Sequence, residues 1–508
     1  MRDKQLLMGI DIGSTAVKVI AMTAEGEVRA SATGHYPTSS PRPGWVEQDP
    51  ESWWSAATEA IRACMAQTGP AAIGAVSFSG HMSAPVLLDG GGKPVLPSIL
   101  IADTRSFEET RYLRETYRDE FTALTGNVPV DAFTVSKLLW IKKHHPQALE
   151  RAAALLFPKD FIRFKLTGHI GTDATDAGNS LLYSAAERRW AAVLIRKLGL
   201  APELFPPVGE SHHAVGKVGR EAAGLTGLPE GTPVVMGAAD MACSQLGTGA
   251  AQPGTLAVTL STSAQVVLRV GSIAPEMAGR VTFHPSAIPH SLYAMGSVFT
   301  GGLGVDWGYR MLTGKTRLEA ADFDAIGELS ERMDGLPLGS GGLLFLPFLM
   351  GSGTPYFDSS DRASWLGLST GQDPALLLHS VMEGVAYNIR ESMEVFESAG
   401  YSIQRVHLGG GGSRNSVWCR MIGDVLGKDM AVLANRDASA AGAAILAGVG
   451  SGVYETAEAA ADAVVRTGAA LEHSPVRHDA YNGIYRRYRK VYVALNEFYR
   501  ETDDKDGN

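Results

Sequence analysis

The chain has 508 residues, and its 45 Lys and Arg against 54 Asp and Glu give a formal net charge of −9. This length predicts about three domains, or two large ones. Hydrophobic residues make up 45% and charged residues 19%, a composition that excludes a disordered polymer. The acidic balance, and the lack of any run near the roughly 18 apolar residues of a membrane span, argue against nucleic-acid and membrane partners. The three cysteines lie far apart, so they predict neither a disulfide framework nor a zinc site, and a cytoplasmic location is expected.

Strand-like runs alternate with longer helical patterns, which predicts an α/β architecture. Residues 6–22 form two apolar runs joined by the turn Gly13-Ser14-Thr15, which indicates a hairpin. Residues 255–268 repeat this plan around Ser261-Thr262-Ser263. We interpret the two segments as an internal duplication, although two unrelated hairpins would look the same at this level. Thr259 takes the place of Asp11, so the halves are expected to share a fold and differ in chemistry.

Several elements further along the chain set the domain organisation. An apolar strand over 233–239 is expected to end at Asp240, and a helix is expected between Asp373, as N-cap, and Gly400. A strand, the glycine run 409–412 and a helix from Ser413 to about residue 426 follow. These features predict an N-terminal domain over 1–248, a C-terminal domain over 249–495 and a flexible tail over 496–508.

The two hydroxylated turns suit phosphate binding, because small residues leave backbone N–H groups free and Ser and Thr add hydroxyl donors. Equivalent turns of a duplicated fold can face each other across a cleft and hold a polyphosphate from both sides. Asp11 and Asp240, each near a strand end, suit water-mediated magnesium binding or general-base chemistry. Either carboxylate taken alone would more simply be a helix cap or an ion-pair partner.

The remaining candidates each have a plainer alternative. The glycine run before the helix is either an anion platform or a close packing contact. Residues 308–316 resemble a P-loop but have five residues between the glycines instead of four, so we expect a helix that ends at Gly314. His81 and Met82 follow a strand and either line a sugar pocket or pack in a loop. Asp103 either binds sugar hydroxyls or pairs with Arg105.

Taken together, the motifs resemble those of the FGGY carbohydrate kinases, and within that family the xylulokinase-like branch. The resemblance runs from about residue 6 to about residue 453. It rests on the order and spacing of these runs: 9–15, 44–50, 133–141, 158–160, 166–168, 172–173, 237–240, 260–263, 301–302 with Trp307, 363–368, 380–384 and 409–414.

The resemblance implies two actin-like, ribonuclease-H-like ATPase domains with an active-site cleft between them. It implies ATP and Mg²⁺ as cofactors, a small sugar or polyol as substrate, and a homodimer as a candidate assembly. Asp240 is implied as the general base, and Asp11 with Asp240 as the carboxylates that hold magnesium through water. The other implied contacts are, for ATP and its phosphates, Gly13, Ser14, Thr15, Ser261, Thr262, Gly302, Gly412, Asn415 and Ser416, and for the sugar, His81, Met82, Ser83, Asp103 and Asp240.

Departures from the family pattern concern mainly the sugar side. The usual Gln-Met-His-Gly is His81-Met82-Ser83-Ala84, Ile101 stands where Trp is usual, and Met241 where Asn or Gln is usual. The expected activity is therefore ATP-dependent phosphorylation of a ketose such as xylulose or a related polyol, with ribulose, gluconate, glycerol and erythritol as alternative substrates. Two other hypotheses are a non-catalytic, nucleotide-dependent actin-like binding module and a phosphoanhydride hydrolase.

Overall fold

The computed structural model describes residues 5–68, 73–435 and 437–506, with side chains up to residue 500. In the N-terminal half the strands are β1 Leu6–Ile12, β2 Ala16–Met22, β3 Val28–His35, β4 Glu47–Gln48, β5 Ile73–Gly80, β6 Val86–Asp89, β7 Ser98–Ile99, β8 Ala152–Leu156, β9 Thr172–Asp173, β10 Tyr183–Ser184, β11 Arg189–Trp190, β12 Val208–Gly209, β13 Ala214–Lys217, β14 Pro233–Val235 and β15 Ala238–Ala239. The helices are α1 Pro50–Thr68, α2 Phe107–Thr125, α3 Thr134–His144, α4 Pro146–Arg151, α5 Pro158–Thr167, α6 Ala174–Asn179, α7 Ala192–Lys197, α8 Arg220–Thr226 and α9 Asp240–Gly247.

The C-terminal half contains a second set of strands and longer helices. Its strands are β16 Thr255–Leu260, β17 Ala264–Val270, β18 Thr282–Pro285, β19 Leu292–Val298, β20 Leu344–Leu346, β21 Ser364–Leu366, β22 Arg405–Gly409, β23 Met430–Leu433 and β24 Thr467–Leu471. Its helices are α10 Gly302–Thr313, α11 Ala320–Glu331, α12 Pro374–Ser398, α13 Ser416–Leu426, α14 Ala438–Gly450, α15 Ala457–Val464 and α16 Pro475–Asp506.

Two seven-stranded sheets with the same topology form the centres of the two lobes. The main path of the first sheet runs β3-β2-β1-β5-β14-β13, and the second runs β18-β19-β17-β16-β22-β23-β24. In each sheet an antiparallel hairpin is followed by an antiparallel third strand, and the first strand of the hairpin pairs in parallel with a later strand. This shared order and direction confirms the predicted duplication, and with it the two-lobed α/β fold class.

Helix α12 is the central helix of the second lobe, and its bounds agree with the sequence prediction. The carboxylate of Asp373 accepts a hydrogen bond from the N–H of Leu376 at 2.9 Å, and Pro374 occupies the first helical position, where no N–H is needed. Its predicted apolar face is buried from Val381 to Phe396. Helix α10 ends at Gly314, whose positive φ of 72° suits glycine, so the P-loop resemblance belongs to a helix end.

Glycines allow α9 and α14 to pack tightly where the two lobes meet. A Cβ on Gly442 would lie 1.9 Å from the carbonyl oxygen of Cys243, and one on Gly247 would lie 2.0 Å from that of Ala438. A Cβ on Gly9 of β1 would lie 2.1 Å from the carbonyl oxygen of Ala440. A helix of the C-terminal half therefore packs directly on the first lobe, through contacts that only hydrogen side chains allow.

Three sequence predictions need correction. Asp240 is the first residue of α9 and does not end a strand, because β15 stops at Ala239. Helix α13 begins at Ser416 and not at Ser413, because residues 411–414 form a 3₁₀ turn and the side chain of Asn415 caps the helix. The tail predicted from residue 496 starts inside α16, which continues through residue 506, and Asn496 hydrogen-bonds to Asp361; its flexibility stays a prediction.

The predicted boundary between residues 248 and 249 falls between α9 and β16, and the domain limits themselves stay a prediction. Within the described residues 5–68, 73–435 and 437–506, no helix is both long and apolar enough to cross a bilayer.

Candidate active site

In the turn between β1 and β2, side chains from elsewhere in the first lobe hydrogen-bond to the carbonyl oxygens of Gly13 and Ser14. Tyr36 donates its hydroxyl hydrogen to the carbonyl oxygen of Gly13, and the side-chain amide of Gln48 donates to that of Ser14 at 2.8 Å. Ser14 and Thr15 are exposed, and no acceptor within the described part of the chain takes a hydrogen bond from either N–H group. Free N–H groups without opposing carbonyls attract an anion, as the phosphate prediction requires.

The turn between β16 and β17 is built on the same plan with different partners. The carbonyl oxygen of Ser261 accepts from the N–H of Gly302 at 2.6 Å, and that of Thr262 accepts from Gly301 at 2.9 Å and from Leu303 at 3.0 Å. The start of α10 thus holds these carbonyls, and Thr262 stays exposed with no acceptor for its N–H in the described structure. The N–H of Gly302 is therefore already used in a hydrogen bond to this turn, and the absence of a side chain allows Gly302 to lie close to it.

The glycine run after β22 packs on the same end of β16 as that turn. A Cβ on Gly412 would lie 2.6 Å from the side chain of Leu260, and one on Gly410 would lie 2.4 Å from its carbonyl oxygen. The side chain of Asn415 accepts from the N–H of Trp418 at 3.0 Å and donates to the hydroxyl of Ser330 on α11 at 2.8 Å, while Ser416 is exposed. The structure therefore brings Gly302 and Gly412 to one strand end and shows the glycine run as a packing contact, while its role as an anion platform stays a prediction.

Asp11 and Asp240 meet at the carboxyl edge of the first sheet. Strand β5 pairs in parallel with β1 on one side and with β15 on the other, so Gly80 lies between Ile12 and Ala239. With a strand spacing of about 4.8 Å, the backbones at Asp11 and Asp240 lie roughly 10 Å apart. Ligands of α/β proteins bind at this edge of the sheet.

Burial and the nearby negative charge of Asp11 raise the pKa of the Asp240 carboxyl group. Burial raises the pKa of Asp240 to about 7, the negative charge of Asp11 adds to the rise, and the N–H of Met241 opposes it with a 2.7 Å hydrogen bond. Burial likewise raises the pKa of Asp11, and Lys18 opposes this. An acid with a pKa near the working pH suits a general base.

The residues present fit a magnesium ion held through water. One carboxylate oxygen of Asp11 is buried without a hydrogen-bond partner, and carboxylate oxygens are the ligands that Mg²⁺ prefers. In the described part of the chain no group of three or more His, Cys, Asp or Glu side chains is close enough to enclose a metal. This arrangement agrees with an ion that takes most of its ligands from water and phosphate.

Lys18 and Asp437 also belong to this site, although sequence reasoning missed them. Lys18 lies opposite Asp11 in the β1–β2 register, and its ammonium is 2.5 Å from the carboxylate of Asp437 at the start of α14. The pair joins the first lobe to the C-terminal half beside the phosphate turn. The signal in the sequence was the antiparallel register, which places residue 18 across from residue 11.

Asp103 pairs with Arg105, as one of the two readings predicted. The guanidinium of Arg105 binds the carboxylate of Asp103 at 2.7 Å and that of Glu47 at 2.8 Å, and it stacks 3.8 Å from the ring centre of Trp45. The Asp103 carboxylate also accepts from the N–H of Val46. Asp103 is fully buried, and a role toward a sugar stays a prediction.

The loop after β5 buries all three predicted sugar-side residues. The N–H of His81 donates to the carbonyl oxygen of Ile12 at 2.8 Å, and both ring nitrogens of His81 are buried without a partner. Burial lowers the pKa of His81 to about 3, so the ring is neutral. Met82 is buried, and Ser83 has an unfavourable positive φ of 66° and donates its hydroxyl to the carbonyl oxygen of Asn179 at 3.3 Å.

A buried lysine holds this loop and was not assigned from the sequence. The ammonium of Lys137 donates to the carbonyl oxygens of Ser83 at 2.9 Å and Ala132 at 3.0 Å. Burial lowers the pKa of Lys137 to about 7, against the charges of Asp103 and Asp131, which raise it. Lys137 therefore links the sugar-side loop to the region of Asp103. Lys137 lies in residues 133–141, one of the runs on which the family resemblance rests, but the sequence does not show that its ammonium binds the carbonyl oxygens of Ser83 and Ala132.

Comparison with known proteins identifies the matching family. The model for the N-terminal domain of the FGGY family of carbohydrate kinases matches residues 6–247, and the model for the C-terminal domain matches residues 252–451. The chain is 32% identical to the xylulose kinase of Bacillus subtilis over 97% of each chain, and 31% identical to that of Escherichia coli over 84% of this chain and 86% of the relative. The crystal structure of xylulose kinase from Rhodospirillum rubrum superposes with a TM-score of 0.89 at 29% identity, covering 98% of this chain and all of that one.

Proposed function

Because the chain belongs to the FGGY family of carbohydrate kinases, we propose that it transfers the terminal phosphoryl group of ATP to a hydroxyl of a ketose, with xylulose as the first candidate. The similar proteins named above are xylulose kinases, which supports this choice of substrate. The departures at His81, Ser83, Ile101 and Met241 all lie on the sugar side, so related ketoses, polyols and aldonates remain the alternatives to test.

The observation that carries the proposal is the carboxylate of Asp240 close to that of Asp11, at the edge where β1, β5 and β15 end. Its raised pKa makes it a proton acceptor near neutral pH. As the sugar oxygen bonds to the γ-phosphorus, its proton passes to Asp240 and the bond between phosphorus and the bridging oxygen of ADP breaks. Charge and atoms balance, since ADP leaves with the electron pair of the broken bond.

The other groups of the chain position the reactants. The free N–H groups of Ser14 and Thr15 in one lobe, and of Thr262 in the other, bind the phosphate oxygens from opposite sides. A magnesium ion held through water by Asp11 and Asp240 would neutralise charge on the phosphates. The buried loop of His81, Met82 and Ser83 and the mostly buried ion pair of Glu47 and Arg105 exclude water, which competes with the sugar as acceptor.

The test is a panel of ketoses, polyols and aldonates, assayed for ADP release and for the phosphorylated product by phosphorus NMR. We expect turnover with one class of ketose and a single phosphorylated hydroxyl. ADP release without any sugar would favour a phosphoanhydride hydrolase instead. No turnover at all, together with nucleotide-dependent assembly, would favour an actin-like binding module.

A further inference from the structure

A side chain outside the cleft holds the peptide that precedes Asp240. The N–H of Ala239 donates to the hydroxyl oxygen of Thr175 on α6 at 2.7 Å, and that hydroxyl donates in turn to the carboxylate of Asp173 at 2.7 Å. Thr175 and Asp173 are fully buried. A continuous chain of hydrogen bonds therefore runs from the backbone beside Asp240 to a carboxylate inside the first lobe.

That carboxylate is fixed from several directions. Asp173 caps α6 by accepting from the N–H of Thr175 at 3.1 Å and of Asp176 at 3.3 Å, and the hydroxyl of Ser211 donates to it at 2.6 Å. The ammonium of Lys159 lies 3.0 Å from Asp173, and it also contacts Asp176 at 2.9 Å. The Asp173 carboxylate, which ends the series of hydrogen bonds from Ala239, is thus held in place by several partners.

The same charged network holds a second point of the segment that leads to Asp240. The guanidinium of Arg163 binds Asp160 at 2.7 Å and donates to the carbonyl oxygen of Met236 at 2.9 Å, while Lys159 binds Asp160 at 2.6 Å. All of these side chains are fully buried. The residues from Met236 to Ala239 are therefore held at both ends, and Thr175 is the contact nearest to Asp240.

We propose that Thr175 is a positioning residue for phosphoryl transfer, which acts through the Ala239 peptide to aim the Asp240 carboxylate into the cleft. The proposal rests on the proposed function, because it takes Asp240 to be the base. Strand β15 has only two residues and pairs with β5, and Asp240 follows it directly at the start of α9, which packs on α14. The Thr175 hydroxyl adds to these contacts a side-chain hydrogen bond at the residue that precedes Asp240. Displacements of about 1 Å at a reacting group can cost 10²-fold in rate.

The matched comparison uses two hydroxyls that donate to the same carboxylate. Thr175→Val keeps the shape and removes the acceptor for the Ala239 N–H, whereas Ser211→Ala removes a donor to Asp173 without touching Ala239. We expect Thr175→Val to lower kcat about 10- to 100-fold with the KM for sugar and ATP within about threefold of wild type. Thr175→Ser, which retains the hydroxyl, should restore kcat to within about threefold, and Ser211→Ala should stay within the same limit.

Asp240→Asn, assayed beside these variants, separates this proposal from the one on which it rests. If Asp240→Asn keeps full activity, the assignment of the base is wrong. If Asp240→Asn is inactive while Thr175→Val matches wild type or falls no further than Ser211→Ala, Thr175 has no positioning role. Thermal unfolding verifies that each variant is folded, and Thr175→Ala replaces the valine variant under the same criteria if the latter does not fold.

Discussion

The raised pKa of Asp240 predicts that the residue proposed as the base weakens the fold, and that this cost depends on pH. The pKa rises from 3.8 to about 7 on folding, so the folded chain holds a proton that the unfolded chain has released between these values. At about 1.36 kcal/mol per pKa unit, the full cost is about 4 kcal/mol above neutral pH and vanishes below about pH 4. Because the side chain still touches water in the cleft, we expect about 1–3 kcal/mol of it to be measurable.

Replacing Asp240 with the neutral Asn removes this cost. The Asn side-chain oxygen can still accept the hydrogen bond from the N–H of Met241, and the loss of a negative charge at the start of α9 costs only about 0.3–1 kcal/mol. The stability of Asp240→Asn relative to wild type should therefore grow from about pH 4 to about pH 7 and then level off. At about 1–2 °C per kcal/mol, a gain of a few degrees in Tm is expected at pH 8.

The assay is thermal unfolding without nucleotide or sugar across this pH range. Asp373→Asn is the matched control, since it makes the same exchange of carboxylate for amide at an exposed helix start, that of α12. A wild type that is more stable than Asp240→Asn at pH 8, or a difference that does not change with pH, would refute the reasoning that burial and Asp11 hold this carboxyl group near neutrality.

The other predictions concern the rate profile and the packing around the site. The kcat/KM of wild type for its sugar should fall about tenfold per pH unit below about pH 7, since the base must be ionised, and a profile flat down to pH 5 would contradict this. Lys159→Met leaves three buried carboxylates without their shared cation and should cost about 3–5 kcal/mol, seen as a large loss of Tm; an unchanged Tm would show that the network adds nothing to stability. Gly442→Ala should cost about 1–3 kcal/mol by forcing α9 and α14 apart, whereas Gly327→Ala, whose Cβ meets open space, should not lower Tm, and equal effects would contradict this account of the packing.

The parts of the fold that sequence reasoning predicted well depend on local patterns. The two hairpins, the cap of α12 at Asp373 and the end of α10 at Gly314 each follow from residues within a few positions of one another. The start of α13 was placed too early because a glycine run says little about whether its residues are helical, and the cap at Asn415 decides the boundary. The contact of Asn496 was missed because it reaches a loop more than 130 residues away.

In the candidate site, too, the residues predicted from the sequence follow from local patterns, and those that were missed depend on contacts between distant parts of the chain. The turns were chosen because their residue types match a chemistry and their positions match a duplicated plan, and the two acids because each lies near a strand end. Thr175 was missed because it meets Ala239 across 64 residues, and nothing near it in the chain reveals that pairing. For Asp103 the sequence offered two interpretations; the structure shows the ion pair with Arg105, and contact with a sugar stays a prediction.

The most direct test of the central claim is sugar-dependent ADP release by wild type and by Asp240→Ala, measured side by side at pH 8 with the best sugar of the panel. Wild type should turn over only when the sugar is present, and Asp240→Ala should be about 10²- to 10⁴-fold slower while both proteins remain folded. An Asp240→Ala variant that phosphorylates the sugar at the wild-type rate would contradict the account.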